Sequence, residues 1–301
     1  MFHIFSINSG IQMIENIPKS FIDLSVQSYP IHNKSIGIEG YFYKFFKNKN
    51  IETGLTYLPI QWTNYFLKNK YGKEIDELKN FIKALNFNKN KYFTVTQYDG
   101  GPLVNLNNTI VFSCGGMFNT PKNNNLSHIN IPLLTQKYRT PMWTKKDYKV
   151  GYIGRNTHSI REKIIDMYIN YEGYNLINFK EQSASKKDNK FFKKLTSRSM
   201  FTLCPRGYGP TSFRLYESIN LQSIPVYISD EFILPFQNVV DWEKLAIILQ
   251  EDEIHLLDKK INSILNSRKY NEMLNYGKEC NSKFFNMEYT SNYILKTIEL
   301  F

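Results

Sequence analysis

The sequence predicts an α/β protein whose second half is built on a doubly wound parallel sheet. Two observations support this prediction. From Tyr148 onward, short apolar runs typical of buried parallel strands alternate with segments of helical periodicity, and a glycine-containing turn, Pro-Arg-Gly-Tyr-Gly-Pro, directly follows one of these runs. Because ligands of such domains bind at the carboxyl ends of the strands, the turn marks a candidate binding crevice.

The elements of the second half follow from their apolar periodicity. Val150–Ile153 is predicted as a strand that ends at Gly154. His158–Asn170 is predicted as a helix because Ile160, Ile164, Met167 and Tyr168 recur on one face. In chain order, the remaining predicted elements are the strand Asn175–Phe179, the helix Asp188–Arg198, the strand Met200–Cys204, the helix Thr211–Leu221 with Pro210 at its start, the strands Ile224–Ser229 and Leu245–Leu249, and the helices Glu253–Leu265 and Glu288–Phe301.

The first half carries a weaker pattern of the same kind, and a second α/β domain is expected there. Its predicted strands are Phe2–Ile7, Leu55–Ile60, Tyr92–Tyr98 and Thr109–Ser113, and its predicted helices are Gln61–Asn69 and Glu74–Leu85. Lys137–Asp147 is the best linker candidate because of its proline and charge content. The sequence therefore predicts domains at 1–140 and 141–285, followed by a terminal helix at 286–301.

Composition excludes several classes of protein. The chain has 301 residues, of which 42% are hydrophobic and 22% charged, so it can bury a substantial core and is not a disordered protein. The chain has no apolar run of 18 residues and no amino-terminal signal sequence, and we expect a soluble, cytoplasmic protein. Cys114, Cys204 and Cys280 are odd in number and far apart, which argues against a disulfide framework or a zinc site.

The net charge of +11 predicts an anionic partner: nucleic acid, an acidic membrane surface or a phosphorylated small molecule. The lysines are scattered among asparagines in loops and on helix faces, and they form no continuous basic helix. Most of them are interpreted as solvated surface charge. The distribution therefore disfavours a nucleic-acid partner and directs attention to individual arginines.

The most informative segment is Phe201–Phe236. Gly207 lies in a turn that lets the backbone approach a ligand, and the predicted helix after the turn directs free N–H groups at the same place. Arg206 and Arg214 can add charge-assisted hydrogen bonds, a combination that suits a diphosphate. Glu217 follows Arg214 by three residues and suits a ribose diol, whose hydroxyl protons a carboxylate accepts.

A structural interpretation of the same residues stays open. Arg214 and Glu217 could form an ordinary surface ion pair, and the glycines could serve only the turn. The residues converge where this topology places ligands, which favours the binding site. The spacing of the glycines in this turn matches neither the Rossmann Gly-x-Gly-x-x-Gly motif nor the Walker motif, and this disfavours a dehydrogenase or a nucleoside triphosphatase.

The segment closely resembles the exostosin family, glycosyltransferase family 47. The resemblance rests on Leu203-Cys204-Pro205-Arg206-Gly207, Ser212-Phe213-Arg214-Leu215-Tyr216-Glu217, Ile224-Pro225-Val226 and Leu234-Pro235-Phe236, in this order and spacing. Upstream, Gly151–Arg155, with Arg161 on the following helix, is similar to the first strand and loop of the family's donor domain. Tyr92–Gly100 is similar to a segment of exostosin-like proteins from bacteria and large DNA viruses.

The resemblance implies a GT-B fold, in which two Rossmann-like doubly wound domains face a cleft. The carboxyl-terminal domain would hold a nucleotide-sugar, the amino-terminal domain the acceptor, and the final helix would cross back to the first domain. Family members are inverting enzymes that use UDP-sugars, among them xylose, galactose, glucuronic acid and N-acetylglucosamine donors. Eukaryotic members usually carry a membrane anchor, which this sequence lacks, so the expected location is the cytoplasm, or the host cytoplasm for a viral protein.

An inverting displacement needs stabilisation of the leaving diphosphate and a base for the acceptor hydroxyl. The predicted donor-binding residues are Arg155, Arg206, Gly207, Thr211, Ser212, Arg214 and Glu217. Their positive charge would replace a metal ion, because no Asp-x-Asp motif stands at a strand end and Glu251-Asp252-Glu253 is interpreted as the start of a helix. No metal or other cofactor is therefore expected.

Asp99 is the best candidate for the catalytic base because it follows a predicted strand, although a turn aspartate before two glycines is an equal interpretation. Glu39 is a weaker candidate. His128 is a further candidate for an acceptor contact, and Asp230 either contacts sugar hydroxyls or caps the next segment. Cys204 is interpreted as a small core residue.

The leading hypothesis is a metal-independent, inverting glycosyltransferase that moves a sugar from UDP to a glycan acceptor. The acceptor could be an oligosaccharide, a glycoprotein or a lipid-linked glycan, and peripheral membrane association is compatible with the positive charge. The alternatives are a catalytically inactive domain that binds nucleotide or glycan and, less favoured, a basic nucleic-acid-binding protein.

Overall fold

We analysed a computed structural model of the chain. It describes residues 13–14, 16–25, 36–49, 54–87, 89–117, 119–121, 126–135, 144–179 and 186–301. The chain forms two compact units. The first contains the described residues up to Pro132 together with Met287–Phe301, and the second contains Leu133–Asn286. The boundaries between the units thus lie after Pro132 and Asn286, whereas the predicted domain boundaries lie after residues 140 and 285.

Helices and strands alternate along most of the chain. The helices are α1 Gly37–Lys47, α2 Trp62–Lys68, α3 Asp76–Lys83, α4 Ser159–Tyr168, α5 Lys186–Arg198, α6 Arg214–Asn220, α7 Trp242–Leu245, α8 Leu257–Leu265, α9 Lys269–Lys283 and α10 Met287–Ile298. The strands are β1 Leu55–Tyr57, β2 Lys91–Thr96, β3 Thr109–Ser113, β4 Leu126–Asn130, β5 Tyr148–Arg155, β6 Tyr174–Phe179, β7 Ser199–Pro205, β8 Ile224–Ile228 and β9 Ile247–Leu249. Both sheets are entirely parallel, which confirms the predicted α/β class.

The first unit contains a four-stranded sheet in the order β1-β2-β3-β4. Its central strands are apolar on both faces, as a parallel sheet covered by helices requires, and Phe93 and Phe112 are fully buried. The helix α10, from the end of the chain, belongs to this unit and packs with α1. The carboxyl ends of β2 and β3 therefore extend from a well-buried part of the sheet.

The second unit contains a five-stranded sheet in the order β6-β5-β7-β8-β9. Within this sheet β5 comes first in the sequence. The next strand, β6, lies on one side of β5, and β7, β8 and β9 lie on the other side, so the direction of winding reverses between β5 and β7. This strand order is that of doubly wound folds, which bind ligands at the carboxyl ends of the strands where the reversal occurs. Topology alone therefore places a candidate site at the ends of β5 and β7.

Most predicted elements are present with shorter bounds, and four predictions need correction. The predicted helix Thr211–Leu221 begins only at Arg214, and Pro210 lies in the preceding loop, where its carbonyl accepts a hydrogen bond from Tyr227 at 2.9 Å. The predicted strand Leu245–Leu249 is shorter, because Leu245 ends α7. The predicted helix Glu253–Leu265 is divided into the 3-10 helix Asp252–Leu256 and α8. On α4, Met167 is 42% exposed and Ile165 packs in the core instead.

Four of the helices and strands named above, α1, α7, α9 and β4, are absent from the sequence prediction. The helix α1 is rich in aromatic residues and contains two glycines, a composition with no clear helical signal, yet Ile38, Phe42 and Phe46 are fully buried. The helix α9 is polar around most of its surface and buries only a narrow stripe. The predicted strand Phe2–Ile7 lies outside the described residues.

No helix among the described residues combines the length and the apolar character needed to cross a membrane. All three cysteines are buried, and none of them forms a disulfide bond. Burial raises the pKa of the Cys204 thiol to about 12, so this side chain is a core residue, as predicted, and not a nucleophile.

Candidate functional site

The reversal of winding in the second unit brings two chain segments together. Arg155 ends β5, and Pro205 ends β7 immediately before Arg206. The two strands are hydrogen-bonded neighbours in the sheet, with Val150 paired to Phe201 and Gly151 to Thr202. Two of the predicted donor-binding arginines, Arg155 and Arg206, therefore lie at the carboxyl edge of adjacent strands.

The guanidinium group of Arg161 connects these two strand ends. Its Nε donates a hydrogen bond to the carbonyl of Arg206 at 2.7 Å. Its Nη1 donates to the carbonyl of Arg155 at 3.0 Å, and its Nη2 donates to the carbonyl of Pro205 at 3.2 Å. The side chain is only 6% exposed. Because one planar group serves three backbone carbonyls, it fixes the separation of the two loops that follow β5 and β7.

From the sequence, Arg161 is only part of the family resemblance and has no predicted role. A signal exists in retrospect, since Arg161 is next to the core residue Ile160 in the first turn of a helix that directly follows a strand. The helix is started by His158, whose Nδ1 accepts a hydrogen bond from the backbone of Ile160 at 3.4 Å. Such a position points a long basic side chain back toward the strand ends.

Several hydrogen-bonding groups at this edge are buried and have no partner among the residues that the structure describes. They are Arg155 Nε, Thr157 Oγ1, Arg206 Nε and Ser212 Oγ. A buried polar group without a partner is costly, and so many in one place indicate a ligand that supplies the missing acceptors. Four groups that can donate hydrogen bonds, two of them cationic, suit an anion rich in oxygen atoms.

Gly207 is required by the packing beneath the turn. A Cβ atom at this position would lie 2.9 Å from Arg161 Nη2 and 3.1 Å from Thr157 Oγ1. The turn itself is closed by a hydrogen bond from the amide of Gly207 to the carbonyl of Gly209 at 3.1 Å. The predicted role of Gly207 is close approach to a ligand, and the structure adds close approach to Arg161.

Arg214 is seated between aromatic rings at the same edge. Its Nε donates to the carbonyl of Ile153 at 2.9 Å, and its guanidinium carbon lies 5.2 Å from the ring centroid of Tyr152 and 6.0 Å from that of Phe192. A Cβ atom on Gly154 would clash with the Tyr152 hydroxyl and lie 2.9 Å from Arg214 Nη2. These contacts hold the guanidinium in one orientation and leave its positive charge near the strand ends.

The late start of α6 changes the predicted role of Thr211 and Ser212. Both precede the helix, which begins at Arg214 and has only seven residues, so their amides are loop groups and not the first amides of a helix. Thr211 and Glu217 are buried. Glu217 is 8% exposed, which does not fit an ordinary pair of solvent-exposed charges with Arg214.

Asp230 and Glu251 follow the neighbouring strands β8 and β9. Asp230 is exposed, and its Oδ1 accepts a hydrogen bond from the amide of Glu251 at 2.9 Å, a contact with a segment 21 positions further along the chain. Glu251 lies 3.8 Å from Arg206 and 3.7 Å from His158. Negative charge therefore adjoins the cationic region on the β8 and β9 side.

The first unit places Asp99 at the carboxyl edge of its own sheet. Asp99 is half-buried in a turn after β2 that is closed by a hydrogen bond from the amide of Gly101 to the carbonyl of Tyr98 at 2.9 Å. A Cβ atom on Gly115 would lie 2.7 Å from the Cα atom of Asp99, so the turn after β3 contacts this turn backbone to backbone. His128 lies in the middle of the edge strand β4, paired with Val111, and not at the end of the strand.

Glu39 is a buried carboxylate whose position in the fold was not predicted from the sequence. It projects from α1, is 4% exposed, and accepts hydrogen bonds from the amide of Gln97 at 2.7 Å, the amide of Thr63 at 3.1 Å and the hydroxyl of Thr63 at 2.8 Å. Burial raises its pKa to about 7 despite these hydrogen bonds. Glu39 therefore ties α1 to the end of β2 and the start of α2, and it supports the turn that carries Asp99.

Among the described residues, no group of three or more histidine, cysteine, aspartate or glutamate side chains is arranged to hold a metal ion. The positive groups at the ends of β5 and β7 are arginines. Their chemistry is that of hydrogen-bond donors to phosphate and carboxylate groups.

Curated relatives match a short segment of the chain. A probable glucuronosyltransferase of rice, GUT1, is 42% identical over 67 residues, which is 22% of this chain and 16% of the relative. A probable β-1,4-xylosyltransferase of Arabidopsis thaliana, IRX10L, is 39% identical over 67 residues, again 22% of this chain and 16% of the relative. The match therefore spans about a sixth of the length of these relatives.

Solved structures with similarity to the chain include the pneumococcal O-GlcNAc transferase GtfA in complex with UDP and GlcNAc, at 11% identity and a TM-score of 0.43, covering 87% of this chain and 59% of that chain. A mutant of S. aureus TarM in complex with fondaparinux, α-GlcNAc-glycerol and UDP is 10% identical with a TM-score of 0.40, covering 72% of this chain and 52% of that chain. The family profile described as "Exostosin GT47 domain" matches residues 105–266, more than half of the chain and all of the edge at which these arginines lie. The chain belongs to the exostosin GT47 family.

Proposed function

We propose that this protein is a glycosyltransferase that moves a sugar from a UDP-sugar to a hydroxyl group of a glycan acceptor, with inversion at the anomeric carbon and without a metal ion. The observation that carries the proposal is the set of buried, unpartnered groups of Arg155, Thr157, Arg206 and Ser212 at the reversal of winding in the second unit. Donors of this kind, held at the carboxyl ends of parallel strands, suit a diphosphate.

The chemistry of transfer requires that negative charge on the departing diphosphate be stabilised as the bond to the sugar breaks. Arg155 and Arg206 offer buried donors at the strand ends, and Arg214 adds a cation whose orientation is fixed by two aromatic rings. Arg161 holds the loops that carry the first two, so little reorganisation is needed when charge develops. Fixed guanidinium groups of this kind perform the task that a divalent cation performs in metal-dependent transferases.

Membership in the family and the names of the relatives favour a sugar nucleotide over other diphosphates. The relatives are probable glucuronosyl- and xylosyltransferases, and the proposed donors are accordingly UDP-glucuronic acid and UDP-xylose, with UDP-galactose and UDP-N-acetylglucosamine as further members of the class. The proposed acceptor is a glycan, free or attached to protein or lipid.

The donor site is tested by the thermal stability of the protein in UDP, GDP, ADP and CMP, each with and without EDTA. At 100 times its dissociation constant, a ligand stabilises the folded protein by about 2.7 kcal/mol, which corresponds to a shift of a few degrees. We expect a shift that is selective for UDP and persists in EDTA. In Arg155→Met the shift should fall sharply, because the lost charge-assisted hydrogen bond lowers affinity about tenfold or more.

Arg155→Met should melt close to the wild-type temperature without ligand, because the Nε atom it removes bonds to no described residue. The matched control is Arg268→Met, which removes an exposed arginine outside the site and should retain the full shift. Equal shifts with all four nucleotides, or none with any, would contradict a UDP-sugar donor. A shift lost in EDTA would contradict metal independence.

For the acceptor base we propose Asp99, on the basis of its place in the turn after β2. Asp99→Asn should lower kcat for transfer to a glycan acceptor at least 100-fold, while UDP still raises the melting temperature as in the wild type. The carboxamide keeps the size of the side chain and removes its basicity. Full activity of Asp99→Asn would show that another group accepts the proton, and turnover absent from the wild type with every donor would favour the inactive nucleotide-binding alternative.

A further inference from the structure

Glu251 presents a second unusual feature at the same edge of the second unit. It follows β9 with only Gln250 between them, and its Oε1 is buried without a hydrogen-bond partner among the described residues. The nearest cations are too distant for hydrogen bonds, with Arg206 Nη1 at 3.8 Å from Oε1 and His158 Nδ1 at 3.7 Å from Oε2. A buried carboxylate oxygen that lacks donors is costly unless a ligand supplies one.

Arg206, opposite Glu251, is also incompletely bonded. Its Nε is buried and has no partner among the described residues. The backbones of both residues are held by the end of β8, because the amide of Arg206 donates to the carbonyl of Ile228 at 2.9 Å and the amide of Glu251 donates to Asp230 Oδ1 at 2.9 Å. An unsatisfied carboxylate oxygen thus lies 3.8 Å from Nη1 of a guanidinium group whose Nε also lacks a partner, and the side chains of Glu251 and Arg206 remain 15% and 18% exposed.

We propose that Glu251 and Arg206 together bind a hydroxyl group of the nucleotide-sugar, with Glu251 accepting the hydroxyl proton and Arg206 donating to the hydroxyl oxygen. The inference rests on the proposed function and extends it to a residue with no assigned role in substrate binding. A single oxygen can lie about 2.8 Å from both atoms, because two hydrogen bonds of that length can bridge the 3.8 Å between them.

The same pair orients the ligand. A fully ionised phosphate has no proton to donate and is repelled by the carboxylate, whereas a hydroxyl group both donates and accepts. The phosphates are therefore directed away from Glu251, toward Arg155, Arg214 and the Nε atom of Arg206, and the hydroxyl-bearing part of the ligand is directed toward Glu251. That part is either the ribose of UDP or the transferred sugar, and both present the same chemistry.

The test is titration calorimetry of Glu251→Ala with four probes: UDP, 2′,3′-dideoxy-UDP, UDP-xylose and inorganic pyrophosphate. If the ribose is bound, affinity for UDP should fall about 10- to 100-fold, with no fall for the dideoxy compound. If the transferred sugar is bound, the fall should appear with UDP-xylose and not with UDP. In both cases pyrophosphate should bind as tightly or more tightly, because the variant removes a negative charge beside Arg206.

Glu251→Gln, which keeps the shape of the side chain, supplies the same comparison if the alanine variant is unstable. The matched control is Glu231→Ala, which removes an exposed carboxylate after the neighbouring strand β8 and should bind all four probes as the wild type does. Unchanged affinity of both Glu251 variants for UDP and UDP-xylose, or an equal loss for pyrophosphate, would overturn the inference while leaving the proposed function intact. A wild-type protein that binds no uridine nucleotide would overturn the proposed function, and this inference with it.

Discussion

Arg161→Met is expected to open the carboxyl edge of the second sheet and to abolish measurable UDP binding. The substitution leaves the carbonyls of Arg155, Pro205 and Arg206 without the donor that each now has. Leaving buried carbonyls unpaired costs about 1–3 kcal/mol each, although water can replace part of the loss. Amide hydrogens of β7 should exchange about 100-fold faster, because local opening becomes about 3 kcal/mol easier.

Arg161→Lys separates charge from geometry. A lysine keeps the positive charge but lacks the planar fork, so it should restore part of the stability and little of the UDP affinity. Arg268→Met is the exposed control and should change neither measurement. Wild-type exchange of β7 together with wild-type UDP affinity in Arg161→Met would show that the two strand ends are positioned without this guanidinium.

Glu39→Gln is expected to remove a pH dependence from the stability of the first unit. Burial raises the pKa of Glu39 from 4.5 to about 7, so between these values the folded protein retains a proton that the unfolded chain releases. The contribution of Glu39 to stability is therefore fully present below pH 4.5 and is lost as the pH rises through 7. The total loss is on the order of 3 kcal/mol.

The measurement is hydrogen exchange of β2 amides between pH 5 and pH 8, corrected for the intrinsic effect of pH and compared among variants. As the pH rises, the wild type should lose protection relative to Glu39→Gln. The glutamine side chain is expected to lower stability by itself, because its NH₂ group faces backbone N–H donors, but this effect does not change with pH. Glu299→Gln, an exposed carboxylate of the same unit, should follow the wild-type profile. Parallel profiles for the wild type and Glu39→Gln would mean that Glu39 is ionised throughout this range.

The regular elements of the second half could be predicted from sequence because their signals are local. β7 and β8 are short apolar runs buried on both faces, and α4 repeats apolar residues at helical spacing. The errors occur where local signals are weak or overridden. The aromatic side chains of α1 find their place only in the core of the first unit, and the hydrogen bond between Pro210 and Tyr227 holds the loop before α6 out of the helix that proline would otherwise begin.

Candidate ligand contacts could be predicted in the same limited way. Arg155, Arg206 and Ser212 follow from the turn motif and its family resemblance, and each has a buried side-chain atom that lacks a hydrogen-bond partner among the described residues. Arg161 and Glu251 could not be assigned these roles from sequence, because an arginine in a helix and a glutamate at the start of a short acidic run have many ordinary explanations. Their environments depend on residues far away along the chain.

By itself, the sequence determined the α/β class, the position of the glycine turn and membership in the exostosin family, because each is written in contiguous residues. Only the tertiary structure decided which groups meet at the site. Arg161 contacts Arg206 across 45 positions, and Glu251 lies beside both Arg206 and His158. These contacts exist because β5 pairs with β7 and the winding reverses between them, and the order of strands is a property of the packed sheet that no single segment encodes.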